Sequence, residues 1–97
     1  MVAYVIGLSS RDTNDLSWID LYMKKAPSIL ASHKGKVLAI GKPINIERGK
    51  SWQRFTLIEF PSYSHAQDFL KDPEYQNIKN LRILNTVGEM YCLNKTI

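Results

Sequence analysis

Trp52-Gln53-Arg54-Phe55-Thr56-Leu57-Ile58-Glu59-Phe60 is the clearest strand-forming run in the chain, rich in the aromatic and β-branched residues that fit a pleated surface. Side chains alternate across a strand, so Phe55 and Leu57 face one side while Thr56, Ile58 and Phe60 face the other. Both sides are largely apolar. A strand of this kind asks for a packing layer on each face of its sheet. Pro61 and Ser62 end the run.

Downstream, Ser62 or Ser64 starts a short helix carrying Ala66, Phe69 and Leu70. Asp72-Pro73-Glu74 combines a cap residue, a proline at the first helical position and an acid in the first turn. It opens a brief helix through Ile78 and Leu81, and residues 87–93 form the last strand. Upstream, residues 41–50 place Pro43 and Gly49 around Ile44 and Ile46, which predicts a long hairpin arm, and residues 36–40 form a strand before it. Leu16, Ile19, Met23, Ala26 and Leu30 recur at helical spacing, flanked by Trp18 and Tyr22. Asp12, Thr13 or Asn14 offers the N-cap, Pro27 predicts a kink, and Gly35 is the expected C′ residue. Residues 2–8 are the first strand and residues 9–13 a polar turn. The order is strand, helix, strand, strand, helix, strand. That is the α+β ferredoxin-like split pattern, a four-stranded antiparallel sheet with helices on one side.

At 97 residues the chain has room for a single domain, residues 1–97. Its hydrophobic share of 44% is that of a folded protein. Thirteen Lys and Arg against nine Asp and Glu give a net charge of +4. The densest basic group, Arg48, Lys50 and Arg54, is broken by Gly49 and Trp52, so no basic stripe marks a nucleic-acid surface. Cys92 is the only cysteine, which rules out an intrachain disulfide and fits a reducing, cytoplasmic setting. In its strand it reads as a small buried hydrophobe. Residues 1–8 lack a basic n-region, and nothing approaches the roughly 18 apolar residues of a membrane span. His33 and His65 are far apart with no metal-ligand spacing, and no nucleotide-cofactor loop or Ser-His-Asp pattern is present, so neither metal nor cofactor is expected.

Two helices cover one face of a four-stranded sheet. In the first strand Ala3 and Val5 point one way, and Tyr4, Ile6 and Leu8 the other. Leaving such side chains wet costs about 1.5–3 kcal/mol each. A twofold homodimer, sheet against sheet, is the simplest symmetric remedy.

Arg54, the run Ile58-Glu59-Phe60-Pro61-Ser62, Ala66, Asp72-Pro73-Glu74-Tyr75-Gln76 and Arg82 together resemble the family called domain of unknown function thirteen-thirty. Tyr22, Gly35 and the glycines at 41 and 49 also fall in that pattern. The resemblance implies a dimeric α/β barrel, the fold of small monooxygenases of the antibiotic-biosynthesis type and related lactone isomerases. It implies no activity. The chain departs from the family's Arg-Gly-Gly run, reading Ile40-Gly41-Lys42, and has Glu47-Arg48-Gly49 where the family tends to place an acid directly before glycine.

Arg54 and Glu59 are the charges flanking the apolar third strand, and a charge at an inward position is costly unless paired. Five residues apart, they face opposite sides of a regular strand. Glu59, beside Phe55 and Leu57, is expected to face the barrel interior, with a structural ion pair as its competing role. His33 is a candidate general base, or else a cap at its helix end. Glu59 and His33 are therefore the expected proton-handling residues. Arg54 and Arg82 are expected to hold an anionic part of a ligand, with Tyr22 and Tyr75 shaping the walls. The expected function is binding of a small organic molecule between sheet and helices, as in a cofactor-free enzyme. The alternative is a non-catalytic module whose dimer surface is the function.

Overall fold

β1 (Ala3–Arg11) is the longest-paired strand of the molecule, and the computed structural model, which describes residues 1–96, is organised around it. The remaining elements are α1 (Ser17–Ser32), β2 (Lys36–Gly41), β3 (Arg54–Phe60), α2 (Tyr63–Lys71), α3 (Pro73–Asn85) and β4 (Thr86–Asn94). The sheet order is β2-β3-β1-β4 and every pairing is antiparallel. The arrangement is α+β and ferredoxin-like, with the second helical segment divided into α2 and α3.

The polar turn expected at residues 9–13 begins later. Ser9, Ser10 and Arg11 stay in β1 because β4 offers them partners as far as the Arg11–Thr86 pair, and ladder hydrogen bonds outweigh weak strand propensity. β3 starts at Arg54 where the expected strand began at Trp52, and of residues 41–50, expected as a hairpin arm, only Gly41 is in a strand, as the end of β2. Ile44 and Ile46 there are 87% and 92% exposed, so no neighbour supplies the pairing their alternation invites. A register shift between Val37 and Ala39 puts a bulge at Leu38 in β2, the outer strand beside β3.

α1 starts at Ser17, with Leu16 in the cap position and no side-chain cap bond. Asp15 instead accepts the Ser17 N–H at 2.9 Å, which does the work expected of Asp12, Thr13 or Asn14. The helix runs through Pro27. Its C-terminus closes with Lys34 N–H on the Ala31 carbonyl at 2.9 Å and Gly35 N–H on the Leu30 carbonyl at 3.0 Å. That is the Schellman pattern, with Lys34 (φ 61°) rather than Gly35 as the left-handed C′ residue. Gly35 serves a different need: a Cβ there would press on Leu30 and lie 2.9 Å from the Phe60 ring.

The core lies between the sheet and α2 and α3. Ala3 and Val5 of β1, Phe60 of β3, Ile29 of α1, Ala66 and Phe69 of α2, and Tyr75 and Ile78 of α3 are all buried. Phe60, Phe69 and Tyr75 form an aromatic column, with ring centroids 5.5 and 4.4 Å apart. The α1 stripe expected from spacing is rotated. Leu16 and Met23 are about half exposed (48% each), whereas Ile29 is buried and Tyr22 packs against the core. The backbone of α1 lies nearest α3; Ile29 and Leu30 join the core with Val5 and Phe60, whereas Trp18 and Tyr22 border a gap over the sheet. Cys92, expected to be buried, is exposed on the edge strand β4.

The molecule is only 17 Å through its thinnest axis, two layers deep. Paired residues in antiparallel strands share a face, so Tyr4, Ile6 and Leu8 lie with Leu57, Phe55, Tyr91 and Leu93 on the side away from the helices. No layer of this chain covers them, and Tyr91 and Leu93 are each 52% exposed. No helix of the described residues is long and apolar enough to cross a membrane.

Candidate functional site

A cleft of about 720 Å³ opens between α1 and the sheet. Its floor is the helix-side face of β1 and β3, where Val5, Gly7, Thr56 and Ile58 lie, extended by Val37 and Ile40 of β2. Trp18 and Tyr22 of α1 form the opposite wall, their rings edge-to-face at 6.2 Å. Tyr75 and Arg82 of α3 close one end.

Four of the residues singled out from the sequence meet here: Tyr22, Arg54, Tyr75 and Arg82 all line the cleft. Tyr75 is 2% exposed and its ring belongs to the aromatic column, yet its hydroxyl accepts a hydrogen bond from Arg82 Nη2 at 3.2 Å. Tyr75 thereby holds a guanidinium at the cleft end from within the core. Burial raises the Tyr22 phenol above its ordinary pKa and the nearby Tyr75 adds to this, while Arg82 and Arg54 pull the other way. Tyr22 is thus a protonated donor at neutral pH. Arg54, at the first position of β3, is exposed and its Nε donates to Thr56 Oγ1 at 3.5 Å.

Glu59 and His33 lie elsewhere. The β1–β3 register is continuous from Arg54 to Phe60, so the alternation predicted from the five-residue separation holds without a bulge. Arg54 takes the helix side, and Glu59 takes the outer face beside its cross-strand neighbours Tyr4 and Lys36. His33 occupies the C-cap of α1, where its Nε2 is 2.6 Å from Asp72 Oδ2 and its ring stands edge-on to Phe69. That pair ties the end of α1 to the cap of α3, since Asp72 Oδ1 accepts the Glu74 N–H at 2.8 Å. Neither residue borders the cleft.

Gly7 was not singled out from the sequence. It sits mid-strand in β1, where glycine is unfavourable unless something approaches closely. A Cβ there would meet only Thr56 Cβ at 4.0 Å, so what Gly7 provides is room in the cleft floor. The available signal was a lone glycine inside an otherwise β-rich strand.

Two residues that line the cleft each carry a buried polar atom with no partner. Trp18 Nε1 and Arg82 Nε are shut off from solvent and bonded to nothing among the described residues. Buried donors are nearly always satisfied. The residues lining the cleft include four cations, Arg11, Lys42, Arg54 and Arg82, and one acid, Glu89. Glu89 accepts a hydrogen bond from Tyr91 Oη at 3.0 Å. The one ion pair among the described residues is His33–Asp72, so neither Arg54 nor Arg82 has a carboxylate within 4.0 Å there. No three His, Cys, Asp or Glu side chains of the described residues come together as a metal site.

A family model described as domain of unknown function (DUF1330) matches residues 2–96. The chain belongs to the DUF1330 family. Among solved structures, a protein of unknown function from Rhodopseudomonas palustris is 15% identical at a TM-score of 0.80, over 99% of this chain and 83% of that one. SnoaB, a cofactor-independent oxygenase from Streptomyces nogalater, is 8% identical at 0.68, over 99% and 94%. A dimeric protein of unknown function with a ferredoxin-like fold, from Bacteroides fragilis, is 14% identical at 0.54, over 99% and 96%. At these identities the likeness establishes the fold, which this DUF1330 protein shares with enzymes and with proteins of no known activity. No curated protein matches the chain.

Proposed function

We propose that this DUF1330 protein is a homodimer that binds one small organic molecule per subunit in the cleft between α1 and the sheet. The observation that carries the reading is the cleft itself. It is a concavity of about 720 Å³ with an apolar and aromatic lining onto which Tyr22, Tyr75, Arg54 and Arg82 converge, and that is the composition of small-molecule sites generally. The same space in an interaction module would be filled by core side chains. Here the space between Trp18 and Tyr22 of α1 and the strands is left open, and glycine stands where a larger floor residue would fit.

The dimer is supported by the uncovered apolar sheet face and by the dimeric ferredoxin-like neighbour from Bacteroides fragilis. A contiguous apolar face of this kind is the usual mark of an interaction surface. Pairing the two copies by a twofold axis leaves both clefts open on the outside of the assembly, each roofed by its own α1.

Native mass spectrometry of the protein as purified tests both halves at once. The expected species is twice the 11.1 kDa chain mass, carrying additional small-molecule mass that disappears in Gly7→Val, where the floor is filled. A monomer would overturn the dimer, and added mass that survives Gly7→Val would place the ligand somewhere other than the cleft.

A further inference from the structure

The polar groups gathered at the Tyr75–Arg82 end of the cleft are mainly donors; the one acid there, Glu89, has its carboxylate engaged by Tyr91 Oη at 3.0 Å. Arg82 carries a guanidinium whose Nε has no acceptor and whose Nη2 donates to Tyr75. Because the Tyr75 hydroxyl accepts that bond, its own proton is free to be given to a third group. Trp18 lines the wall with its ring, but its indole N–H is shut off from the cleft as from water, so it is not among the groups offered to a ligand. Tyr22 adds a phenol that stays protonated. Arg54 adds a second guanidinium with no carboxylate beside it among the described residues. The hydroxyls of Ser9, Thr56 and Thr86 also border the cleft, but Thr56 already accepts from Arg54 and Thr86 donates to the Arg82 carbonyl at 2.7 Å.

A site assembled from donors and cations is matched by a group that only accepts. Away from that end the floor and wall are largely apolar and aromatic, and Gly7 puts no side chain between the sheet and the Trp18–Tyr22 wall. We propose that the cleft takes a small organic carboxylate with a flat apolar body, its carboxylate at Arg82 and Arg54 and its body over Gly7. This rests on the cleft being a ligand site and adds the chemical class of the ligand. A planar carboxylate fits the guanidinium fork in two parallel hydrogen bonds, and a cationic cleft with low-dielectric walls concentrates anions at its mouth. A neutral amide of the same shape brings donors of its own to a place already crowded with them.

The test is an NMR titration of the full-length protein with aromatic carboxylates, naphthoate, cinnamate and salicylate, each paired with its carboxamide. The indole N–H signal of Trp18, assigned through Trp18→Phe, reports on occupancy of the cleft whose wall its ring forms. The expected result is that each acid binds at least about tenfold tighter than its amide, the ratio that one charge-assisted hydrogen bond provides, and shifts the Trp18 signal while leaving that of Trp52 in place. Arg82→Met, with the exposed Arg54→Gln as a second variant for which folding is not at issue, brings the ratio close to one. Equal binding of acids and amides, lost in Gly7→Val, would overturn the carboxylate while leaving the cleft as the ligand site. Binding that ignores Gly7→Val, or no binding by any member of the panel, would overturn both.

Discussion

His33 and Asp72 show how much a single contact redefines a residue. A histidine at a helix end has two ordinary readings, proton carrier or cap, and the sequence contains no trace of the acid thirty-nine residues on that it meets. In the fold its 2.6 Å contact is the first cause of an Asp72 carboxyl held below its ordinary pKa, and the Glu74 N–H is the second. The linkage follows from that direction. A depressed folded-state pKa contributes stability above the unfolded aspartate value, and the contribution is lost as pH falls through the lower folded value. Thermal melts of the parent and Asp72→Asn should therefore differ at neutral pH and converge on acidification below about pH 4, the ordinary aspartate range. Melting curves separated by a constant interval from neutral to acid would show that the carboxylate charge contributes nothing. Glu59 teaches the complementary lesson. Its side of the strand was readable, because parity in an unbulged strand is local, whereas which side would hold the cleft was not.

At the scale of elements, α1 and β1 together make the site. The helix was readable from its spacing, but its inward direction was displaced, because an apolar stripe reports where a helix is hydrophobic and not what it packs on. Resting on α3, α1 turns Ile29 into the core and gives Trp18 and Tyr22 to the cleft. Gly7 faces them from the floor. Glycine within a strand costs about 0.5–1 kcal/mol relative to alanine, and nothing in the surrounding packing requires it, since a Cβ finds open space there. Gly7→Val should accordingly raise unfolding free energy by about 1 kcal/mol in a urea titration with an unchanged slope, while abolishing small-molecule binding. A loss of stability instead would mean that the glycine serves the strand and not the cleft. Gly88 provides the contrast: a Cβ there would press on the Leu8 carbonyl and lie 3.0 Å from Ser9 Cα, so β4 needs that glycine to approach β1 at all.

For the whole molecule, the governing fact is a sheet with two apolar faces and helices enough for one. Tyr4, Ile6, Leu8, Phe55, Leu57, Tyr91 and Leu93 make up the uncovered side, and a stable twofold interface buries about 800 Å² per partner. Leu57 lies mid-strand among them, paired with Ile6. Leu57→Glu removes an apolar side chain worth about 1.5–3 kcal/mol and does so in both copies. The dimer dissociation constant measured by sedimentation equilibrium should rise by about two orders of magnitude or more. Unchanged association would place any self-contact on another surface. What the residue string settled was everything carried by near neighbours: the strand and helix order, the Asp72-Pro73 helix start, the alternation that divides Arg54 from Glu59, and the surplus apolar face. These follow from periods of two and 3.6 residues and from turn chemistry, which are properties of adjacent positions. Three-dimensional packing alone settled that α1 leans on α3, that residues 42–53 find no partner strand, that His33 meets Asp72, and that Trp18, Arg54, Tyr75 and Arg82 surround one cavity. Each of those depends on contacts between residues distant in the chain, where the outcome is set by how whole elements share a limited interior.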